Sequence, residues 1–139
     1  MTLSRSYMLA GALYLLCGIG FGIYMSITGN HVLVPVHAHI NLLGFVLMTV
    51  FGLVFHVFPA MANSILARVQ FWLHQAGALT LLVMLFLLLT GRISEAGMVP
   101  AAPLAELAIL ATVLLFGANL WMNGVERAEV AGATLQSAR

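Results

Sequence analysis

Four apolar runs, each on the order of 20 residues, leave this chain few ways to fold. A run of that length crosses the roughly 30 Å hydrocarbon core of a bilayer as an α-helix rising about 1.5 Å per residue. In lipid, every backbone N–H and C=O must find its partner within the protein, so each run is expected to be a helix. The runs predict spans over residues 7–27, 36–58, 69–90 and 103–123, in one domain over residues 1–139 with a polar tail at 124–139. Only 6% of the residues are charged and none is lysine, whereas a soluble domain carries about a quarter charged residues. The predicted class is an all-α integral membrane protein with four transmembrane helices. The length is expected to hold no separate soluble catalytic domain. A formal charge of +1 offers nucleic acid no basic surface.

The segments between runs are short, so successive spans should be antiparallel neighbours. With the N-terminus inside, Arg5, Arg68, Arg127 and Arg139 are cytoplasmic and Arg92 alone is outside. The positive-inside rule therefore predicts both termini in the cytoplasm, in a bacterial-type inner membrane. Pro35 is expected to open the second helix, Pro59 to end it, and Gly91 to cap the third. Trp72 and Trp121 read as interfacial anchors. Gly18 and Gly22 form a small-xxx-small pair that permits close helix contact. Cys17 has no partner for a disulfide and reads as a buried thiol.

The second run carries the chemistry. Between Val36 and Met61 it holds His37, His39, Asn41 and His56 and no formal charge. Ionisable groups in a membrane are costly and by default mark a functional site. Residues two apart on a helix point about 200° apart, so His37 and His39 should serve different partners. His39 and His56 are about 25 Å apart along the axis and cannot share a site. His56 could approach His74 near the inner face. Simpler readings stand beside these. His31 suits a solvated loop, and His56 and His74 each suit an interfacial histidine. Asn41 suits a bond across a helix interface. Glu106 is expected in the first turn of the fourth helix, where a carboxylate complements the dipole; a proton or quinone role is the alternative. The methionines suit packing.

The H-A-H turn at His37–His39, the following F-G-L-V-F-H-V-F-P-A-M and the later F-W-L-H-Q-A-G resemble the catalytic subunit of heme-copper oxidases, which include nitric oxide reductases. The matching part is that subunit's tenth and eleventh helices, over about His37 to Gly77 of this chain. H-I-N-L-L around His39 also resembles the second-helix heme-ligand segment of nitric oxide reductases. The resemblance implies one four-helix repeat of the oxidase fold, with His37 and His39 as iron ligands of different hemes and Asn41 beside them. The chain departs from that family in having four spans rather than twelve. It also lacks the paired histidines of the copper site, and His56 stands where an aromatic residue is more usual. The implied function is a membrane-bound b-type cytochrome carrying heme b, receiving electrons from quinol or exchanging them with a cytochrome. The alternatives are a heme-dependent reductase of O2 or NO, a heme-based sensor, a heme carrier, or a bundle without cofactor. In the oxidase fold three four-helix arcs surround a pseudo-threefold axis. The expected assembly is therefore a homotrimer in membrane lipid, with His37 of one chain and His39 of the next sharing each interfacial heme. A homodimer in which like histidines meet across a twofold axis is the alternative.

Overall fold

The computed structural model describes residues 2–124. The tail beyond Gly124, with Arg127 and Arg139, lies outside the described residues. Four helices are long and apolar enough to cross a membrane: α1 (Leu3–Thr28), α2 (Val34–Val57), α3 (Ile65–Leu89) and α4 (Ala101–Asn123). Each begins before the first residue expected from hydropathy, and at two of the starts a serine is bonded to backbone. Ser4 donates to the Gly52 carbonyl at 2.7 Å, and Ser64 caps α3 by accepting from the Ala67 N–H at 3.1 Å. The earlier start of α4 moves Glu106 out of its first turn. Glu106 sits in the second turn, exposed, and does not cap the dipole as expected.

Pro35 lies in the first turn of α2. Phe58 leaves helical geometry ahead of Pro59, and a one-turn helix, Pro59–Asn63, leads into α3. Gly91, at φ 70°, closes α3. The N–H groups of Gly91 and Arg92 take the Leu88 and Leu87 carbonyls, a Schellman end that needs a left-handed residue.

The helices form a curved row in chain order. α1 packs along α2, α2 on α3, and α3 along α4, while α1 and α4 share no extended contact. At the end where α1 begins, aromatic rings fill the core. Tyr7 meets Phe71 edge-on at 4.8 Å between centroids, and Phe116 of α4 lies 4.7 Å from Phe51. Toward the other end Met25, Leu33, Val36, Ile40 and Leu82 form a second cluster. Cys17 is exposed on the flank of α1 rather than buried. Trp72 and Trp121 also face outward, as anchors do.

One departure from regular helix positions everything that follows. Within α2 the stretch Ile40–Val46 is π-helical. Its wider turn spaces the buried residues Val36, Ile40, Gly44 and Met48 four apart, before Phe51 and Phe55 resume the ordinary pattern. π segments of this kind frequently accompany functional sites.

Candidate functional site

His37, fourth residue of α2, turns toward α1. Its Nδ1 lies 2.9 Å from the Gly18 carbonyl. A carbonyl can only accept, so Nδ1 carries the proton. The unprotonated Nε2 then accepts from Asn41 Nδ2 at 3.2 Å, and Asn41 Nδ2 also reaches the His37 carbonyl at 2.9 Å. Asn41 thus bonds along its own helix and not across an interface. The Gly18/Gly22 pair makes room for this cluster. A Cβ on Gly18 would meet Asn41 Oδ1 at 2.5 Å, and one on Gly22 would meet the His37 ring at 3.3 Å.

His39 has a different fate. Its Nδ1 donates to the Pro35 carbonyl one turn back, at 2.8 Å. Pro35 lies in the first turn of α2, and its carbonyl has a second lone pair to accept the ring N–H beside its place in the helix ladder. The bond fixes the tautomer and leaves Nε2 with a lone pair and no partner among the described residues. The ring is half-buried and continues the exposed stripe Leu42, Val46, Val50, Leu53 and Val57 on the outer face of α2. The two imidazoles therefore point to different sides, as their spacing predicts, but only His39 offers a free nitrogen outward.

His74 is not interfacial. It lies nine residues into α3, about 14 Å along the axis, and is fully buried. Nε2 donates to the Leu43 carbonyl of α2 at 2.9 Å, and Nδ1 faces the Thr112 hydroxyl of α4 at 3.3 Å. Leu43 has a reason to need a donor. Leu47 N–H still takes the Leu42 carbonyl, the π pairing, before α geometry resumes. The return to α register passes over Leu43, and His74 supplies the missing N–H. A nearby bond, Tyr14 Oη to Gln75 Oε1 at 2.9 Å, ties α1 to α3. Tyr14 packs directly on Gly44, where any Cβ would overlap its ring.

His56 does not approach His74. It is exposed at the opposite end of α2, where it lines a cavity with Arg5, Met8 and Asn63. An inner-face site built on His56 and His74 is therefore not formed, because His74 spends both ring nitrogens inside the bundle. His31 is exposed in the α1–α2 connection, its Nδ1 on the Gly29 carbonyl at 3.0 Å. No three His, Cys, Asp or Glu side chains among the described residues come together as a metal site.

Fit to heme separates the candidates. His39 has the orientation of an imidazole ligand, one nitrogen bonded to a carbonyl and the other free. His37 has the same tautomer, but its second nitrogen is occupied by Asn41 and screened by α1. Sequence reasoning missed the carbonyls of Leu43, Pro35 and Gly18, since backbone oxygens carry no residue signal, and it missed the Thr112 hydroxyl, one threonine in an apolar run. The i, i+4 spacing of His37 with Asn41, and of Gly18 with Gly22, was the available hint.

Fold and site together define a four-helix multi-pass membrane protein in which His74 is buried among the helices, His37 is bonded between α1 and α2, and the free Nε2 of His39 faces outward. No family model, curated protein or solved structure matches the chain.

Proposed function

We propose that the protein is a membrane-bound b-type cytochrome of a bacterial-type inner membrane, both termini cytoplasmic, that carries heme b at His39 and transfers electrons. The observation that carries this reading is the His39 ring: Nδ1 is anchored on Pro35 at 2.8 Å and Nε2 is free on an outward apolar face. Heme between two imidazoles supplies one-electron transfer, and with one position open it binds O2 or NO, as in a reductase or a sensor. Leu42 and Val46 follow His39 on the same face and make it apolar. Quinol as electron donor is supported by an apolar cleft of about 250 Å³ between α1, α2 and α3, beside Val36 and Ile40.

A second axial nitrogen comes from another chain. A twofold homodimer joins two His39 rings without changing either. The homotrimer that pairs His37 with a neighbour's His39 requires His37 Nε2 to leave Asn41 and to emerge from between α1 and α2. The hydrogen bonds of His37 thus support the dimer.

The test is the absorption spectrum of the purified protein with and without carbon monoxide, together with heme counted per chain by native mass spectrometry. A low-spin spectrum unmoved by carbon monoxide, one heme per two chains, lost in His39→Ala and kept in His37→Ala, is expected. A low-spin spectrum that survives His39→Ala overturns the assignment. Loss in both variants with one heme per chain restores the trimer.

A further inference from the structure

Two cavities meet at the end of the bundle where α1 begins, far from His39. One, of about 640 Å³, is lined by Arg5, His56 and Asn63 with the apolar wall of Met8, Phe55 and Pro59. The other, of about 730 Å³, is lined by Arg5, Arg68, Ser6 and Asn63. They share Thr2, Arg5, Ala62 and Asn63, so Arg5 stands between them. Among the described residues, no carboxylate lines either cavity.

The backbone does not compensate these charges. Arg5 and Arg68 lie in the opening turns of α1 and α3, neither of which has an acidic residue there. The helix dipole puts partial positive charge at those ends, where cations are unfavourable. The serines nearby are committed elsewhere: Ser4 to Gly52, Ser6 to Thr2 and Ser64 to Met61. Among the described residues, the side chains of Arg5, Arg68 and His56 make no hydrogen bond or ion pair. Across the joined cleft, Arg5 and His56 thus face the cavity with the apolar wall, and Arg5 and Arg68 face the one beside it.

We propose that this cleft is a binding site for a phosphate group of net negative charge, held by Arg5 and Arg68 with His56 and Asn63 as further donors. Guanidinium is suited to phosphate because its fork of N–H groups matches two oxygens at once. The apolar wall of Met8, Phe55 and Pro59 continues from the charged rim into the bundle, which suits a phosphate that carries an acyl chain. The site is independent of His39, and its test uses no heme signal.

The test is native mass spectrometry of the full chain released from detergent containing phosphatidylglycerol, phosphatidylcholine, or inorganic phosphate without lipid. Retention of phosphatidylglycerol over phosphatidylcholine is expected. It should fall about fivefold for each of Arg5→Gln and Arg68→Gln, the effect of one basic residue near an anionic lipid, while Arg92→Gln at the opposite end leaves it unchanged. Retention of inorganic phosphate alone, lost in the same two variants, assigns the site to a free phosphate. Equal retention of the two lipids with no phosphate bound overturns the proposal, as does a double variant that binds like the parent. Thermal unfolding of each variant separates loss of the site from loss of the fold.

Discussion

The two halves of α2 differ in polarity, with His37, His39 and Asn41 in the first and only Thr49 and His56 in the second, and they are held by different forces. The half from Val34 to Val46 is tied down by directional bonds: His37 to Gly18, Asn41 to His37, and His74 to the Leu43 carbonyl. The half from Leu47 to Val57 is held by rings, with Phe51 and Phe55 against Tyr7 and Phe116. Among the described residues, its one polar tie across helices is Ser4 to Gly52. Lipid tails are as apolar as leucine, so burial alone drives little helix association in a bilayer, and contact shape and hydrogen bonds carry the specificity. Ring packing adapts to small changes in volume. A hydrogen bond to a passed-over carbonyl has one geometry, and losing it strands a polar group where no water can reach. The half with His37 and His39 is accordingly the half whose register is specified atom by atom.

The largest disturbance of this contrast is expected from Gly44→Leu. Tyr14 occupies the space any Cβ would take, so α1 must separate from α2 and the Tyr14–Gln75 bond must break. A loss of about 3 kcal/mol is expected, at the upper end for overpacking, read as unfolding in a mixed-detergent titration. Pairing Gly44→Ala with Tyr14→Ala should recover most of what Gly44→Ala alone loses, and no recovery would show that the overlap is not the cause.

His74→Leu comes next. It removes the donor to Leu43 and leaves a buried carbonyl alone, at a cost of about 2 kcal/mol. His74→Gln keeps an N–H donor and should lose less. Equal losses in the two variants would mean that ring volume, and not the bond to the π segment, is what matters.

The smallest effect lies in the aromatic half and has the opposite sign. Tyr7 is fully buried, and its hydroxyl finds no partner among the described residues, as is also true of the Gln70 amide. Tyr7→Phe should leave the ring contacts intact and remove an unpaired polar group, raising stability by about 1 kcal/mol. A loss on this substitution would show that the hydroxyl has a partner after all, such as a buried water.

The legible parts of the site were those that depend on residue type and spacing. Gly18 and Gly22 could be read as a close-contact pair, and in the structure they admit His37 and Asn41. His37 and His39 could be read as facing apart, because both precede the π segment and sit on ordinary helix. His74 was misjudged because the third span was expected to begin at residue 69, whereas α3 begins at Ile65 and carries His74 nine residues in. Glu106 was misjudged for the same reason at the start of α4. In each case helix ends were decided by caps and backbone bonds that hydropathy does not register.

Four apolar runs of bilayer length, and the need to satisfy every backbone group in lipid, determined from the sequence alone that this chain is four helices. Composition likewise determined that the few polar groups among them would be costly and therefore informative. Only the tertiary structure decided which imidazole nitrogen is free. That choice rests on carbonyl oxygens of Gly18, Pro35 and Leu43, which every residue possesses. Their availability depends on how one helix changes register and on which neighbour stands opposite, and no side-chain pattern encodes either.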